Sequence, residues 1–97
     1  MTMGKIKKKS QKVAKEFIKE TCVQASVKVD GVHSIKDVDV DFTKEGKVDL
    51  DCYLIAKYGT KIPDLAWNVQ NKLKDSVELI TNYKIDKVNI HILGVKL

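Results

Sequence analysis

The chain contains no arginine, one proline, one tryptophan and two cysteines among its 97 residues. Because arginine supplies the paired hydrogen bonds that recognise guanine and phosphate, its absence argues against sequence-specific binding of nucleic acid. Cys22 and Cys52 fit neither a disulfide framework nor a zinc-ligand spacing, so we expect buried free thiols. No apolar run approaches the ~20 residues that span a bilayer, and the lysine-rich start lacks the apolar stretch of a signal peptide.

Lysine is abundant instead, and it is concentrated at the start of the chain. Six lysines precede Glu16, the first acidic residue, and we call them the basic arm: Lys5, Lys7, Lys8, Lys9, Lys12 and Lys15. The remaining lysines nearly balance the 13 acidic residues, so the basic arm accounts for the net charge of +5. We expect residues 1–9 to be disordered and residues 10–97 to form a single domain.

Hydrophobic periodicity predicts the order helix, strand, strand, helix, strand. Apolar residues recur at helical spacing from Ala14 to Val29, and Asp30-Gly31 is a typical helix stop. Residues 36–42 and 47–58 alternate apolar and polar side chains around a short turn that contains Gly46, which predicts a β-hairpin. Pro63 suits the first position of a second helix, and residues 85–95 form the last strand.

This order predicts an α+β fold: a two-layer domain in which a three-stranded mixed sheet carries both helices on one face. A right-handed crossover through the second helix makes the last strand parallel to the second strand. We expect the last strand to lie beside the first, antiparallel to it. The other face of the sheet is expected to stay exposed.

The segments from Tyr58 to Thr81 and from Val88 to Val95 carry the most specific pattern in the chain. Its members are Tyr58, Gly59, Ile62, Pro63, Ala66, Val69, Gln70, Lys74, Glu78, Thr81, Val88, Asn89, His91, Gly94 and Val95. This ordered set resembles the alkaline shock protein family, the envelope-stress proteins of Gram-positive bacteria. The resemblance implies a cytoplasmic, non-enzymatic scaffold that forms homo-oligomers or binds a membrane-anchored protein partner, with at most peripheral membrane association.

Strand alternation places five aspartates on one face of the hairpin: Asp37, Asp39, Asp41, Asp49 and Asp51. Like charges opposite one another in a sheet are unfavourable, so this cluster invites an explanation. A solvated face that keeps the sheet soluble is one interpretation. Docking of the basic arm, from the same chain or a neighbour, is a second, and a weak divalent-cation site is a third, although a flat sheet offers no cage.

Four further side chains, two of them aromatic, are expected on that same exposed face: Tyr53, Ile55, His91 and Leu93. They form either an interface or an ordinary scatter of exposed apolar residues. Trp67 is expected on the flank of the second helix. There it is either an exposed anchor for a partner or partly buried against the edge of the hairpin.

The sequence predicts no catalytic residue, metal ligand set or cofactor. His91 has no second ligand at metal-binding spacing, and Gly59-Thr60-Lys61 lacks the phosphate-loop pattern. One alternative function is a small KH-like RNA-binding module that uses the basic arm, although the GXXG loop of such modules is missing. A role as an accessory to an enzyme has almost no support from individual residues.

Overall fold

Five elements make up the chain in the computed structural model, which describes the backbone of residues 3–97 and the side chains of residues 12–97. They are α1 (Met3–Val27), β1 (Val32–Phe42), β2 (Val48–Lys57), α2 (Ile62–Thr81) and β3 (Ile85–Lys96). The predicted order and the α+β class are confirmed. Because α1 begins at Met3, its backbone includes most of the segment expected to be disordered, and the division into an arm and a domain stays a prediction.

The apolar stripes of both helices meet one face of the sheet and form the core. The stripe of α1 contributes Ile18, Cys22 and Ala25, and that of α2 contributes Leu65, Val69, Leu73 and Val77. The sheet contributes Val38, Val40, Val48, Leu50, Cys52, Leu54 and Ala56. Both cysteines are free and buried, as expected. Burial raises the pKa of the Cys22 thiol to about 12.

The central strand of the sheet is β2, which is antiparallel to β1 and parallel to β3. The expected direction of β3 is confirmed, but its expected place beside β1 is wrong. Both places give β3 the same direction, so the crossover rule does not choose between them. Burial explains why β3 lies beside β2. The strand β2 is the most buried of the three, and placing β1 and β3 on its two sides removes its backbone groups and side chains from water.

The connections explain several residues of the sequence motif. Gly59 has a positive φ of 88°, which turns the chain out of β2 toward α2. At the other end of α2, the Thr81 hydroxyl donates to the Val77 carbonyl and accepts from the backbone N–H of Tyr83. The Glu78 carboxylate accepts a hydrogen bond at 2.9 Å from the backbone N–H of Ile85, at the start of β3. These contacts fix the entry and exit of the crossover helix.

Neither helix, over the residues described, combines the length and the apolar content that crossing a lipid bilayer requires.

Candidate interaction face of the sheet

Strand pairing arranges the side chains of the outer face, the face turned away from the helices, in four rows across the three strands. The rows run Asp41–Asp49–Lys87, Asp39–Asp51–Asn89, Asp37–Tyr53–His91 and Ser34–Ile55–Gly94. The first two rows form an acidic end, and the last two form an aromatic and apolar end. The five predicted aspartates therefore do lie on neighbouring positions of one surface.

At the acidic end, carboxylates face each other directly. Asp39 lies opposite Asp51, and Asp41 lies opposite Asp49. One carboxylate oxygen of Asp49, Oδ1, is buried and has no hydrogen-bond partner. Adjacent like charges and an unpaired buried acceptor both cost free energy. This end of the sheet therefore carries an electrostatic penalty that a cationic partner would reduce.

Asp37 is the exception, because the helix layer neutralises it. The Lys19 ammonium of α1 lies 3.1 Å from Asp37 Oδ1, which also accepts a hydrogen bond from the backbone N–H of Val38. The hydrogen bond from Lys19, followed by that from Val38, holds the pKa of Asp37 below its ordinary value. This ion pair links the edge strand β1 to the helix layer.

A small polar cluster joins the two ends of the outer face. His91 Nε2 donates to Asp51 Oδ1 at 2.9 Å, and the His91 ring stacks on Tyr53 with ring centroids 4.4 Å apart. The hydrogen bond from His91 lowers the pKa of Asp51. Partial burial, together with the nearby carboxylates of Asp39 and Asp51, raises the pKa of Tyr53. These contacts order the side chains of Tyr53, His91 and Asp51 on the outer face.

The four further side chains expected on the exposed face, Tyr53, Ile55, His91 and Leu93, are only partly exposed. Ile55 is 7% exposed, so its expected exposure is wrong. It lies beside Gly94 of β3, with Ile55 Cδ1 3.7 Å from where a Gly94 Cβ would be, which is ordinary van der Waals contact. Leu93 is the extra residue of a β-bulge and is 57% exposed, while Trp67 on α2 is 63% exposed. Tyr53 and His91 are half-buried by their mutual stacking.

Within the basic arm, the side chains of Lys12 and Lys15 are exposed on α1. The other members, Lys5, Lys7, Lys8 and Lys9, lie outside the residues whose side chains are described. Among residues 12–97, no group of three or more histidine, cysteine, aspartate or glutamate side chains is placed to hold a metal ion. The interface roles predicted for the arm and for the outer face stay predictions.

A groove of about 330 Å³ lies between the two helices, and no pattern in the sequence predicts it. Phe17 of α1 and Ile80 of α2 line it, and both are about half exposed. Phe17 flanks the apolar stripe of α1, which is the signal that marks it in the sequence. The groove itself depends on how the helices pack, which periodicity does not give.

A model of the alkaline shock protein family, described by its "cell envelope-related function", matches residues 34–97, which is more than half of the chain. The uncharacterized protein YloU of Bacillus subtilis (strain 168) is 41% identical over 58 residues, which are 59% of this chain and 48% of YloU. The uncharacterized protein Spy1535 of Streptococcus pyogenes serotype M6 is 30% identical over 86 residues, 73% of this chain and 67% of that protein. The chain thus matches about half of YloU.

Two solved structures of MamM CTD variants, one of them a nickel form, share the fold. Both align with a TM-score of 0.59 and 13% identity over 81% of this chain, covering 95% and 96% of their own chains. At this identity the likeness concerns the fold alone. Fold and outer face together define a two-layer α+β domain with one open, largely acidic sheet face. The chain belongs to the alkaline shock protein family, whose function is cell envelope-related.

Proposed function

We propose that this protein is a non-enzymatic scaffold of the envelope stress response that associates with itself or with a protein partner. The observation that carries the proposal is the acidic end of the outer face, where two pairs of aspartates oppose each other directly. Asp51 has a hydrogen bond from His91, but among residues 12–97 none of the four forms an ion pair with a lysine. A surface that serves only for solubility needs charge, but it does not need like charges in direct cross-strand contact. Such a surface is typical of one that receives a cationic group.

The basic arm is a cationic group that the same chain supplies. Its lysines precede every acidic residue of the chain, so the molecule is basic at one end and acidic on one face. The arm of one copy would dock on the acidic end of another copy, or the acidic end would receive a basic segment of a protein partner. Contacts of this kind are weakened by salt, because exposed charges are screened over about 10 Å at ~0.1 M ionic strength.

The proposed location is the cytoplasm, at the inner face of the cell membrane. Exposed lysines add attraction to anionic lipid of about 1 kcal/mol each near a surface, which gives peripheral association. An RNA-binding role would have to rest on the arm alone, because the acidic end of the sheet repels phosphate. RNA binding is therefore the alternative outcome of sedimentation with a labelled oligonucleotide.

The experiment is sedimentation velocity of the full chain over a concentration series, at low and at moderate salt. The wild type is compared with the double variant Asp39→Asn and Asp41→Asn, which neutralises the β1 side of both acidic rows. Asp75→Asn, at an exposed position of α2 in the helix layer, removes one charge away from the outer face and is the control. Because the double variant relieves repulsion within the sheet, we do not expect it to unfold the domain.

We expect the wild type to form salt-sensitive oligomers, the double variant to weaken them severalfold, and the control to leave them unchanged. Association unaffected by the double variant would remove the acidic end from the proposal. A strict monomer that also captures no protein partner from a cell extract would refute the scaffold function.

A further inference from the structure

The outer edge of β3 is open and regular. Among the described residues, β3 pairs with β2 on one side and with no strand on the other. Its register is continuous over Lys87–Ile92, between bulges at Asp86 and Leu93. An unpaired edge strand presents a row of backbone donors and acceptors that a further strand can use. This edge therefore has the hydrogen-bonding capacity to add a strand.

The other edge of the sheet is protected against such pairing. The continuous stretch of β1 runs from Asp37 to Phe42, and every residue that it turns to the outer face is an aspartate. Two copies of β1 side by side would place carboxylates opposite carboxylates, which is destabilising. Over its own continuous stretch, β3 carries a single charged residue, Lys87. The two edges thus differ in whether they exclude a second copy.

The apolar side chains of β3 are incompletely covered. Val88, Ile90 and Ile92 lie beside Leu50, Cys52 and Leu54 of β2 and pack against the same core. The three β2 side chains have no exposed surface, whereas the three on β3 are only partly buried. The helix layer therefore stops short of this edge, and an added strand would bury more of these side chains.

Trp67 lies on the flank of α2 above the same edge. Trp67 is nine residues, or about two and a half turns, from Ser76, which lines the groove between α1 and α2. Its side chain therefore lies on the opposite side of α2 from that groove. It is eleven residues from Glu78, about three full turns, and Glu78 contacts the start of β3. A tryptophan that is 63% exposed beside an open edge is the kind of residue that anchors an interface.

We propose that β3 pairs antiparallel with β3 of a second copy, about a two-fold axis at Ile90, to give a continuous six-stranded sheet. Val88 would then oppose Ile92 of the second copy, and Ile90 would oppose its own counterpart, which forms an apolar row beneath the helices. On the outer face, Asn89 would oppose His91 of the second copy. No like charges meet within the continuous stretch. The inference rests on the proposed self-association and adds the β3 edge to the acidic end as a second contact surface.

Cysteine cross-linking between different chains tests the register. Chains carrying Asn89→Cys are mixed with chains carrying His91→Cys in a glutathione buffer, because directly opposed residues in an antiparallel pair lie within disulfide reach. The native cysteines are buried and do not compete. Chains carrying Glu45→Cys, mixed with the Asn89→Cys chain, are the control. We expect the mixed disulfide to dominate over either homodimer and over the control.

The contribution of Trp67 is tested separately by Trp67→Ser, with Leu79→Ser as the matched control. Leu79 is 83% exposed on the same helix but lies three residues from Ser76, on the groove side. We expect Trp67→Ser to raise the dimer Kd at least about tenfold and Leu79→Ser to leave it unchanged. Both side chains are exposed, so neither variant is expected to unfold the domain.

Three outcomes would overturn the inference. Cross-linking of the mixture no stronger than the control would exclude the β3 edge, and so would equal effects of the two serine variants. Efficient cross-linking of the Asn89→Cys chain with itself would place the axis elsewhere and refute the register. If sedimentation still showed oligomers in these cases, the scaffold function would stand and only the proposed pairing of β3 would be excluded. A chain that remains monomeric and captures no partner would refute both.

Discussion

Replacing Gly31 by alanine should be unusually costly, because two separate penalties meet at this residue. Gly31 joins α1 to β1 with a φ of 98°, a conformation that alanine adopts only with strain. A Cβ at this position would also lie 2.7 Å from Thr60 Cγ2 and 3.3 Å from Leu65 Cδ1. The Gly31 carbonyl accepts a hydrogen bond from the backbone N–H of Lys57, so the residue ties the helix exit to the loop that begins the family motif.

Gly46 in the hairpin turn is the matched control. Its φ is 79°, and a Cβ there would meet nothing within 4 Å. A left-handed conformation costs alanine roughly 1–2 kcal/mol, offset by about 0.4–1 kcal/mol from the reduced entropy of the unfolded chain. Gly46→Ala should therefore destabilise by about 1 kcal/mol. Gly31→Ala adds the cost of overpacking, about 1–3 kcal/mol, and should destabilise by about 2–4 kcal/mol.

Urea denaturation followed by circular dichroism measures both variants against the wild type. The difference between the two variants isolates the steric contact with Thr60 and Leu65, because both share the backbone strain. Equal destabilisation of the two variants would show that the loop after β2 moves aside freely, and would refute the close packing of the helix exit against it.

Two further predictions concern titratable groups. Because the hydrogen bond from His91 lowers the pKa of Asp51 in the folded state, its stabilising effect is present above the ordinary carboxyl pKa of 3.8 and is lost as the pH falls through the lowered value. Asp51→Asn should therefore destabilise the domain near neutral pH and have little effect in strong acid, and an equal penalty at both pH values in urea denaturation would contradict this. Since burial raises the pKa of both Cys22 and Cys52, iodoacetamide should label them only as fast as the chain unfolds. Rapid labelling of the native protein, measured by mass spectrometry, would contradict the burial of these thiols.

Local patterns in the sequence predicted the helices and strands. The features that they did not predict depend on contacts between residues that are far apart in the chain. Alternation around Gly46 identified the hairpin, and Pro63 marked the start of α2, because both are properties of neighbouring residues. The position of β3 depends on which edge of the hairpin it joins, which alternation does not encode. Ile55 occupies a position on the outer face but is 7% exposed, and strand alternation does not predict this burial.

On the outer face too, some features follow from local patterns and others depend on how the elements pack. The shared face of the five aspartates followed from strand alternation alone. The hydrogen bond between Asp51 and His91 requires β3 to lie beside β2, so the expected placement of β3 beside β1 does not predict it. The ion pair between Lys19 and Asp37 requires the packing of α1 against the edge of the sheet. Pairings between elements thus need the tertiary arrangement, even where each partner is recognisable in the sequence.

Sedimentation velocity of the full chain, at low and at moderate salt and with a labelled RNA oligonucleotide present, tests the central proposal most directly. The scaffold account predicts that the protein sediments as an oligomer at low salt, and that at moderate salt the oligonucleotide sediments as it does alone. A protein that stays monomeric and carries the oligonucleotide with it would contradict the account and favour the nucleic-acid function.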